Sequence, residues 1–575
     1  MGSIRIMVKF ERSVNTTMQN PNAQSCAWSE YPRPQLKRDS FFNLNGGWQL
    51  SVLKGTQEEY LGYITVPYPP ESKLSGIERA LQRGEKYVYN RTFTLPDNFI
   101  KDEVILHFGA VDQITQVKIN NHFVGENIGG YLPFEFNITG FLTDGENSIT
   151  VTVTDDLNTQ LPYGKQRKKR GGMWYTPTSG IWQTVWLESV PAKYISHLKI
   201  ETKNNTVTFI TKGGENEKTL ILNGNNYSYS GDIFKLEIDS HIMWSPENPY
   251  LYGFKIISGK DTIESYFALR DITIEKINDR SYICLNGKPY FFNGVLDQGY
   301  FDDGIFTPCS PEVYKNDILS MKSMGFNMLR KHIKIEPEIF YYYCDKYGMI
   351  VFQDMVNSGK YSFLIDTALP TIGLKRIITH SASKFRREHF EKTAKGTIDL
   401  LYNHPSVCYY TIFNEGWGQY DADKIYTMLK SIDTTRVWDA TSGWFNKKLT
   451  DVTSEHVYFK PIKLKANPNR PLVLSEFGGY SYKIPDHSFN LKKTYGYRFF
   501  TDSDKFVKAM KKLYLQEVAS AIEQGLCAAV LTQLSDVEDE TNGLITYDRE
   551  IQKIDPDTMQ SISNAIYEKF NRQFK

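Results

Sequence analysis

The chain has 575 residues, 41% of them hydrophobic and 23% charged, with a formal net charge of +1. That length is too great for one hydrophobic core, so several domains are expected. The near-zero charge gives no electrostatic reason for a nucleic-acid or membrane partner, and no apolar run reaches the ~18 residues that span a bilayer.

The N-terminal stretch MGSIRIMVKFERSVNTT lacks the apolar centre of a signal peptide. The compartment stays open, cytoplasmic or exported. So does the question of a homo-oligomer. Six cysteines (Cys26, Cys284, Cys309, Cys344, Cys408, Cys527) lie far apart, so neither a zinc site nor a disulfide framework is expected. Aromatic residues make up 14%, which suits stacking on sugar rings as well as a large β-rich core.

In chain order, residues 1–38 are polar and proline-dotted and read as an extended segment. Residues 39–190 carry short alternating runs such as KYVYNRTFTL, TQVKINNHFVG and NSITVTVTDD, punctuated by Asn-Asn and Asp-Gly. Period-two alternation of this kind predicts an antiparallel jelly-roll β-sandwich. Its basic stretch GKQRKKRGG (164–172) reads as a solvated or pocket-edge loop, with anion binding as the alternative. Residues 191–275 repeat the pattern on a smaller scale and predict an immunoglobulin-like β-sandwich.

From 276 to 575 the texture changes. Continuous apolar runs alternate with helical stretches eight times, the rhythm of a TIM (β/α)8 barrel. Chemistry in such barrels sits at the C-terminal ends of the strands. There, TIFNEGWGQY (411–420) closes strand four with Asn414 and Glu415, and PLVLSEFGGY closes strand seven with Glu476. An acid ending an apolar strand is costly to bury unless it is paired or functional. Two such acids across one barrel suit glycoside hydrolysis, where one protonates the leaving oxygen and the other attacks the anomeric carbon.

Other residues fall around this pair. Arg330, ending strand two, is a cation for Glu476 or a rim ion pair. His332, two residues on, contacts a sugar hydroxyl or is a satisfied rim histidine. Asp297, after strand one, accepts from sugar hydroxyls or caps a turn. His456 and Tyr458 end strand six between the two acids. Trp444 stacks on a sugar face or packs in the core. Gln533, Asp536 and Glu538 are expected to line the rim after strand eight, with Asp539 and Glu540 forming a solvated face.

FNEGWGQYD and LSEFGGY, with GGMWYTPTSGIWQTVWLE (171–188), FNGVLDQGYFDDGIFT, GFNMLRKHIKIEPE and VFQDM, resemble glycoside hydrolase family 2 from about residue 40 onward. The resemblance implies a retaining exo-β-glycosidase acting on terminal sugars, of β-galactosidase type. Glu415 would be the general acid/base, Glu476 the nucleophile, Asn414 the holder of the 2-hydroxyl and Tyr458 a hydrogen-bond donor to the nucleophile. The implied partner is a carbohydrate, with no cofactor. No catalytic metal is expected, because VFQDMVN offers only Asp354 where magnesium-dependent members place their ligands. α-L-Arabinosidase, β-mannosidase, uronidase and a non-catalytic carbohydrate-binding protein are the alternatives. Glucuronide-acting members carry Asn-x-Lys after strand eight, whereas this chain has Glu540-Thr541-Asn542, which disfavours a glucuronidase. The string Asn446-Lys447-Lys448 follows strand five and does not match in position.

Overall fold

The computed structural model describes residues 28–371, 381–445 and 447–575. Cys26, Asn446 and most of segment 1–38 lie outside the described residues.

The first unit is a β-sandwich. A six-stranded antiparallel sheet runs in the order Gln57–Val66, Gly46–Lys54, Glu85–Thr94, Glu146–Thr154, Ile114–Ile119, His122–Ile128. A four-stranded sheet of Phe42–Asn43, Val185–Val190, Glu103–Phe108 and Phe134–Asn137 completes the sandwich. The alternation that predicted these strands is what builds the core. In ENSITVTVT, Ile149, Val151 and Val153 are buried while Thr150 and Thr152 are only half-buried. They pack with Trp48, Leu106 and Leu187.

A second, smaller sandwich follows. Its three-stranded sheet (Ile195–Lys203, Thr206–Gly213, Ile233–Glu237) shares one core with a four-stranded sheet (Asn225–Ser230, Glu217–Leu222, Tyr252–Ser258, Asp261–Phe267). Phe209, Phe254 and Phe267 meet edge-on or tilted inside it.

Eight parallel strands then form the barrel: β1 Phe292–Asp297, β2 Met328–Lys331, β3 Ile350–Asp354, β4 Val407–Asn414, β5 Val437–Ser442, β6 Thr453–Val457, β7 Leu472–Gly478 and β8 Leu526–Thr532. They pair in the order β5-β4-β3-β2-β1-β8-β7-β6, so the cylinder is closed by hydrogen bonds everywhere except between β5 and β6. Among the flanking helices are α1 Glu312–Ser323, α2 Glu338–Tyr347, α3 Lys384–Leu401, α4 Ala422–Ile432, α5 Ser503–Lys512 and α6 Pro556–Asn571. Helix α6 shows why they form. The Asp555 side chain caps the amide of Thr558 at 2.9 Å and Pro556 opens the first turn. Met559, Ile562, Ile566 and Phe570 then recur at helical spacing on the buried face. No helix among the described residues is long and apolar enough to cross a membrane.

The first sandwich docks on the loops at the C-terminal ends of the barrel strands. Trp174, Tyr175 and Trp182 from the sandwich share one buried cluster with Phe306, Ile333 and Trp417 from the barrel loops. Each large side chain buried this way stabilises the seam by about 2–3 kcal/mol.

Candidate active site

Strand β2 turns alternate side chains to opposite faces, so Arg330 points to the barrel axis and Lys331 points outward. Arg330 is 1% exposed, yet all five of its N–H groups are satisfied. Nη1 donates to Glu476 Oε1 at 3.0 Å and to the Ser475 carbonyl at 2.9 Å. Nη2 donates to Asn414 Oδ1 at 2.9 Å and Ser442 Oγ at 3.1 Å, and Nε to Asp354 Oδ1 at 3.0 Å. One guanidinium thus ties β3, β4, β5 and β7 to β2. With Oδ1 of Asn414 accepting from both Arg330 and Ser442, the amide's remaining donor is Nδ2, the end able to serve a sugar hydroxyl.

Glu476 lies where β7 departs from regular pairing. The register slips against β6 between Glu455 and His456, and against β8 between Leu474 and Phe477. An irregularity of this kind re-aims a side chain. Glu415 follows the last residue of β4 with a φ of 50°, in the left-handed region, and Gly416 continues the turn at 73°. His456 bridges the pair: Nδ1 is 2.8 Å from Glu415 Oε1 and Nε2 is 3.6 Å from Glu476 Oε1. A carboxylate oxygen of each glutamate and a ring nitrogen of His456 all lie within 4.8 Å of one another. Retaining glycosidases separate their carboxyl groups by about 5–5.5 Å and inverting ones by about 6.5–9.5 Å.

Tyr458 donates its hydroxyl to Glu476 Oε2, lies 3.0 Å from Thr532 Oγ1, and stacks on Tyr497 with ring centroids 3.9 Å apart. Burial by itself would raise the pKa of Glu476, but its neighbours His456 and Arg330 hold it at about 2. Arg330 is the permanent charge of that set. The three groups Glu415, His456 and Glu476 have metal-ligand spacing. Oε1 of Glu476 already accepts from Arg330 and Oε2 from Tyr458, so the donor set suits a carboxylate compensated by a cationic side chain rather than by an ion.

His332 lies just past β2 and turns back toward the axis. Burial and then the charge of Lys165 lower its pKa to about 4, against the pull of Asp354. The imidazole is therefore neutral, and its Nδ1, 2.6 Å from Asp354 Oδ2, must be the N–H. Nε2 is left as a buried lone pair with no hydrogen-bond partner. It is an acceptor without a donor among the described residues.

Several expected site residues are placed elsewhere. Asp297 does not face the two acids: Lys331 Nζ takes its Oδ2 at 2.6 Å and the Gly299 amide its Oδ1 at 2.9 Å, on the outer face of β2. The strand-end position was right but the alternation sends its partner outward. Gln533 holds loops together through Gln298 and Asn542, at 3.0 and 2.8 Å. Glu538 accepts from the Thr176 amide at 2.8 Å and faces Arg170 at 3.5 Å, in the seam with the sandwich. Asp536 is buried against Lys553. Asp539 and Glu540, expected on a solvated face, are 4% and 3% exposed because the sandwich roofs this loop. Trp444 is half-buried with its ring 6.0 Å from that of His456.

Asp354, which orients both Arg330 and His332, was not singled out as a site residue, nor was Ser442. The available signal for Asp354 was an acid ending the apolar run of β3. The partners of Ser442 come from other strands and leave no local trace.

Residues 40–191 match the model of the Glycosyl hydrolases family 2, sugar binding domain, and residues 276–494 that of the Glycosyl hydrolases family 2, TIM barrel domain. The chain belongs to glycosyl hydrolase family 2. It is similar to a beta-galactosidase of Priestia megaterium, 23% identical over 489 residues that cover 78% of this chain and 45% of that one. It is also similar to a beta-galactosidase of Thermoanaerobacter pseudethanolicus, 25% identical over 46% of this chain and 39% of that one. The chain thus spans about half the length of the curated relatives it matches. Among solved structures, the beta-D-glucuronidase of Dictyoglomus thermophilum superposes with a TM-score of 0.73 at 18% identity, over 93% of this chain and 98% of that one. A GH2 beta-galacturonidase of Eisenbergiella tayi gives 0.68 at 17% identity, over 94% and 99%. At these identities the structural likeness is one of fold.

Proposed function

We propose that this chain is a retaining exo-β-glycosidase, with Glu476 as nucleophile and Glu415 as general acid/base. The observation that carries the proposal is the approach of the two carboxylates to within 4.8 Å in unlike surroundings. Glu476 is locked by Arg330 and Tyr458 and kept ionised, whereas the Glu415 side chain, among the described residues, contacts the imidazole of His456.

The chemistry follows from those surroundings. A Glu476 oxygen attacks the anomeric carbon as the bond to the leaving oxygen breaks, and Glu415 delivers its proton to that oxygen. Glu415, now ionised, takes a proton from water, whose oxygen displaces Glu476 and restores both groups. Asn414 Nδ2 serves the 2-hydroxyl, where a hydrogen bond strengthens as positive charge builds on the ring. An exo mode is supported by the crowding of loops over the barrel end. The Tyr495 amide donates to the Asp539 carbonyl at 2.6 Å, and Arg170 from the sandwich approaches the same acid at 3.6 Å.

A galactoside is the sugar suggested by the relatives named beta-galactosidases. A uronide is suggested by the structural neighbours named glucuronidase and galacturonidase. A panel of aryl β- and α-glycosides, assayed with the wild type and with Glu476→Ala, tests the reading. At least one β-glycoside should be hydrolysed, with a loss of roughly 10⁴-fold or more in the variant. Activity that survives the substitution nearly intact contradicts the assignment of the nucleophile.

A further inference from the structure

The basic stretch 164–172 is not uniform. Arg167, Lys168, Lys169 and Arg170 are exposed, but Lys165 is half-buried between two buried neighbours, Gly164 and Gln166. Its backbone is fixed from both sides. Gly164 adopts a φ of 68°, and a Cβ there would come within 2.5 Å of the Tyr131 hydroxyl and 3.2 Å of the Ile333 carbonyl, next to His332. On the other side, the Lys165 carbonyl accepts from the Tyr175 amide at 3.0 Å. Tyr175 in turn donates its hydroxyl to Glu540 in the loop after β8. Lys165 is therefore held between the end of β2 and the β8 loop, both at the catalytic mouth of the barrel.

Its ammonium forms no ion pair among the described residues. The acids around it are otherwise engaged. Glu540 is capped by Tyr175 at one oxygen and by Asn542, at 3.0 Å, at the other. Glu538 and Asp539 face Arg170. Yet Lys165 is close enough for its charge to act on Glu476, His332 and Glu540 together. A half-buried ammonium that forms no ion pair among the described residues is open to an incoming anion. An anion carried in by a ligand would pair with it through charge-assisted hydrogen bonds.

We propose that Lys165, supplied by the sandwich domain, receives the carboxylate of a uronic acid bound as the terminal sugar beside Glu476. This rests on the glycosidase reading above and chooses the sugar class within it. It also explains how a chain without the Asn-x-Lys string after β8 can hold an anionic sugar: the cation comes from the sandwich domain instead. Nε2 of His332, the buried acceptor next along that wall, then takes a ring hydroxyl.

The test compares aryl β-D-glucuronide and β-D-galacturonide with aryl β-D-galactoside and β-D-glucoside, using the wild type, Lys165→Met and Lys165→Arg. The wild type should prefer a uronide. Lys165→Met should lower kcat/KM for that uronide by about 10²-fold, mainly through KM, the scale of losing one charged hydrogen bond. Hydrolysis of the neutral glycosides should change little, and Lys165→Arg should restore part of the loss. Hydrolysis confined to neutral glycosides, or an equal loss on neutral and anionic substrates, overturns the role of Lys165 and leaves the glycosidase reading standing. No hydrolysis of any glycoside overturns both.

Discussion

At the scale of single residues, Arg330 decides the state of the site. An ordinary glutamate titrates near 4.3, and the folded protein holds Glu476 at about 2. A depressed carboxylate adds stability that is fully present above about pH 4.3 and is lost only as pH falls through the folded value near 2. The carboxylate proposed as nucleophile is thus ionised at any pH well above about 2. Arg330→Met removes the permanent charge, so the acid limb of kcat/KM should move upward by at least about one pH unit. The same variant should be destabilised by about 3–5 kcal/mol, because Glu476 and Asp354 lose their buried partner. A pH–rate profile with an unmoved acid limb would contradict the role given to this residue. Arg330, Glu415 and Glu476 could be picked out of the sequence because each ends an apolar strand with a charge. Asp297 has the same signature but caps the turn at Gly299, the second of its two readings, and pairs with Lys331 rather than facing the acids: a strand end says where a residue lies along the barrel, not which face it takes.

Among elements, β2 and β7 carry most of the specificity of the arrangement. Strand β2 supplies two separate charge networks from adjacent residues. Arg330 organises the axis, and Lys331 lies outside, fully buried between Asp297 at 2.6 Å and Glu336 at 2.8 Å. Lys331→Met should therefore cost about 3–5 kcal/mol of stability while leaving kcat for any substrate within a few-fold of wild type. Denaturant titration and steady-state assays on the same preparation check this. Unchanged stability, or a collapse of kcat in a folded variant, would show that the two faces of β2 are not separate. Strand β7 shows a limit of pattern reading. Its apolar run announced a buried strand, but the slip that turns Glu476 inward depends on pairing with β6 and β8, which no local pattern encodes.

For the whole molecule, the sandwich packs on the loops at the end of the barrel where Glu415 and Glu476 lie. Its segment 171–188 was legible as a motif, but its effect on the barrel was not. Four acids between 536 and 540 have the composition of a solvated loop, yet Glu538, Asp539 and Glu540 are buried because Thr176, Tyr175 and Arg170 arrive from a domain some 360 residues earlier in sequence. Burial by a distant domain leaves no trace in the local composition of the segment it covers. The eightfold alternation of the barrel, by contrast, was plain, since buried parallel strands must be continuously apolar. All of it converges on one requirement, that β4 and β7 deliver two carboxylates to a single sugar. Incubation with a 2-deoxy-2-fluoro β-glycoside of the preferred sugar, followed by peptide mass spectrometry, measures this directly. One glycosyl group should be found covalently attached to Glu476. A label on Glu415 instead, or turnover of the parent glycoside with no protein label at any stage, would contradict the account.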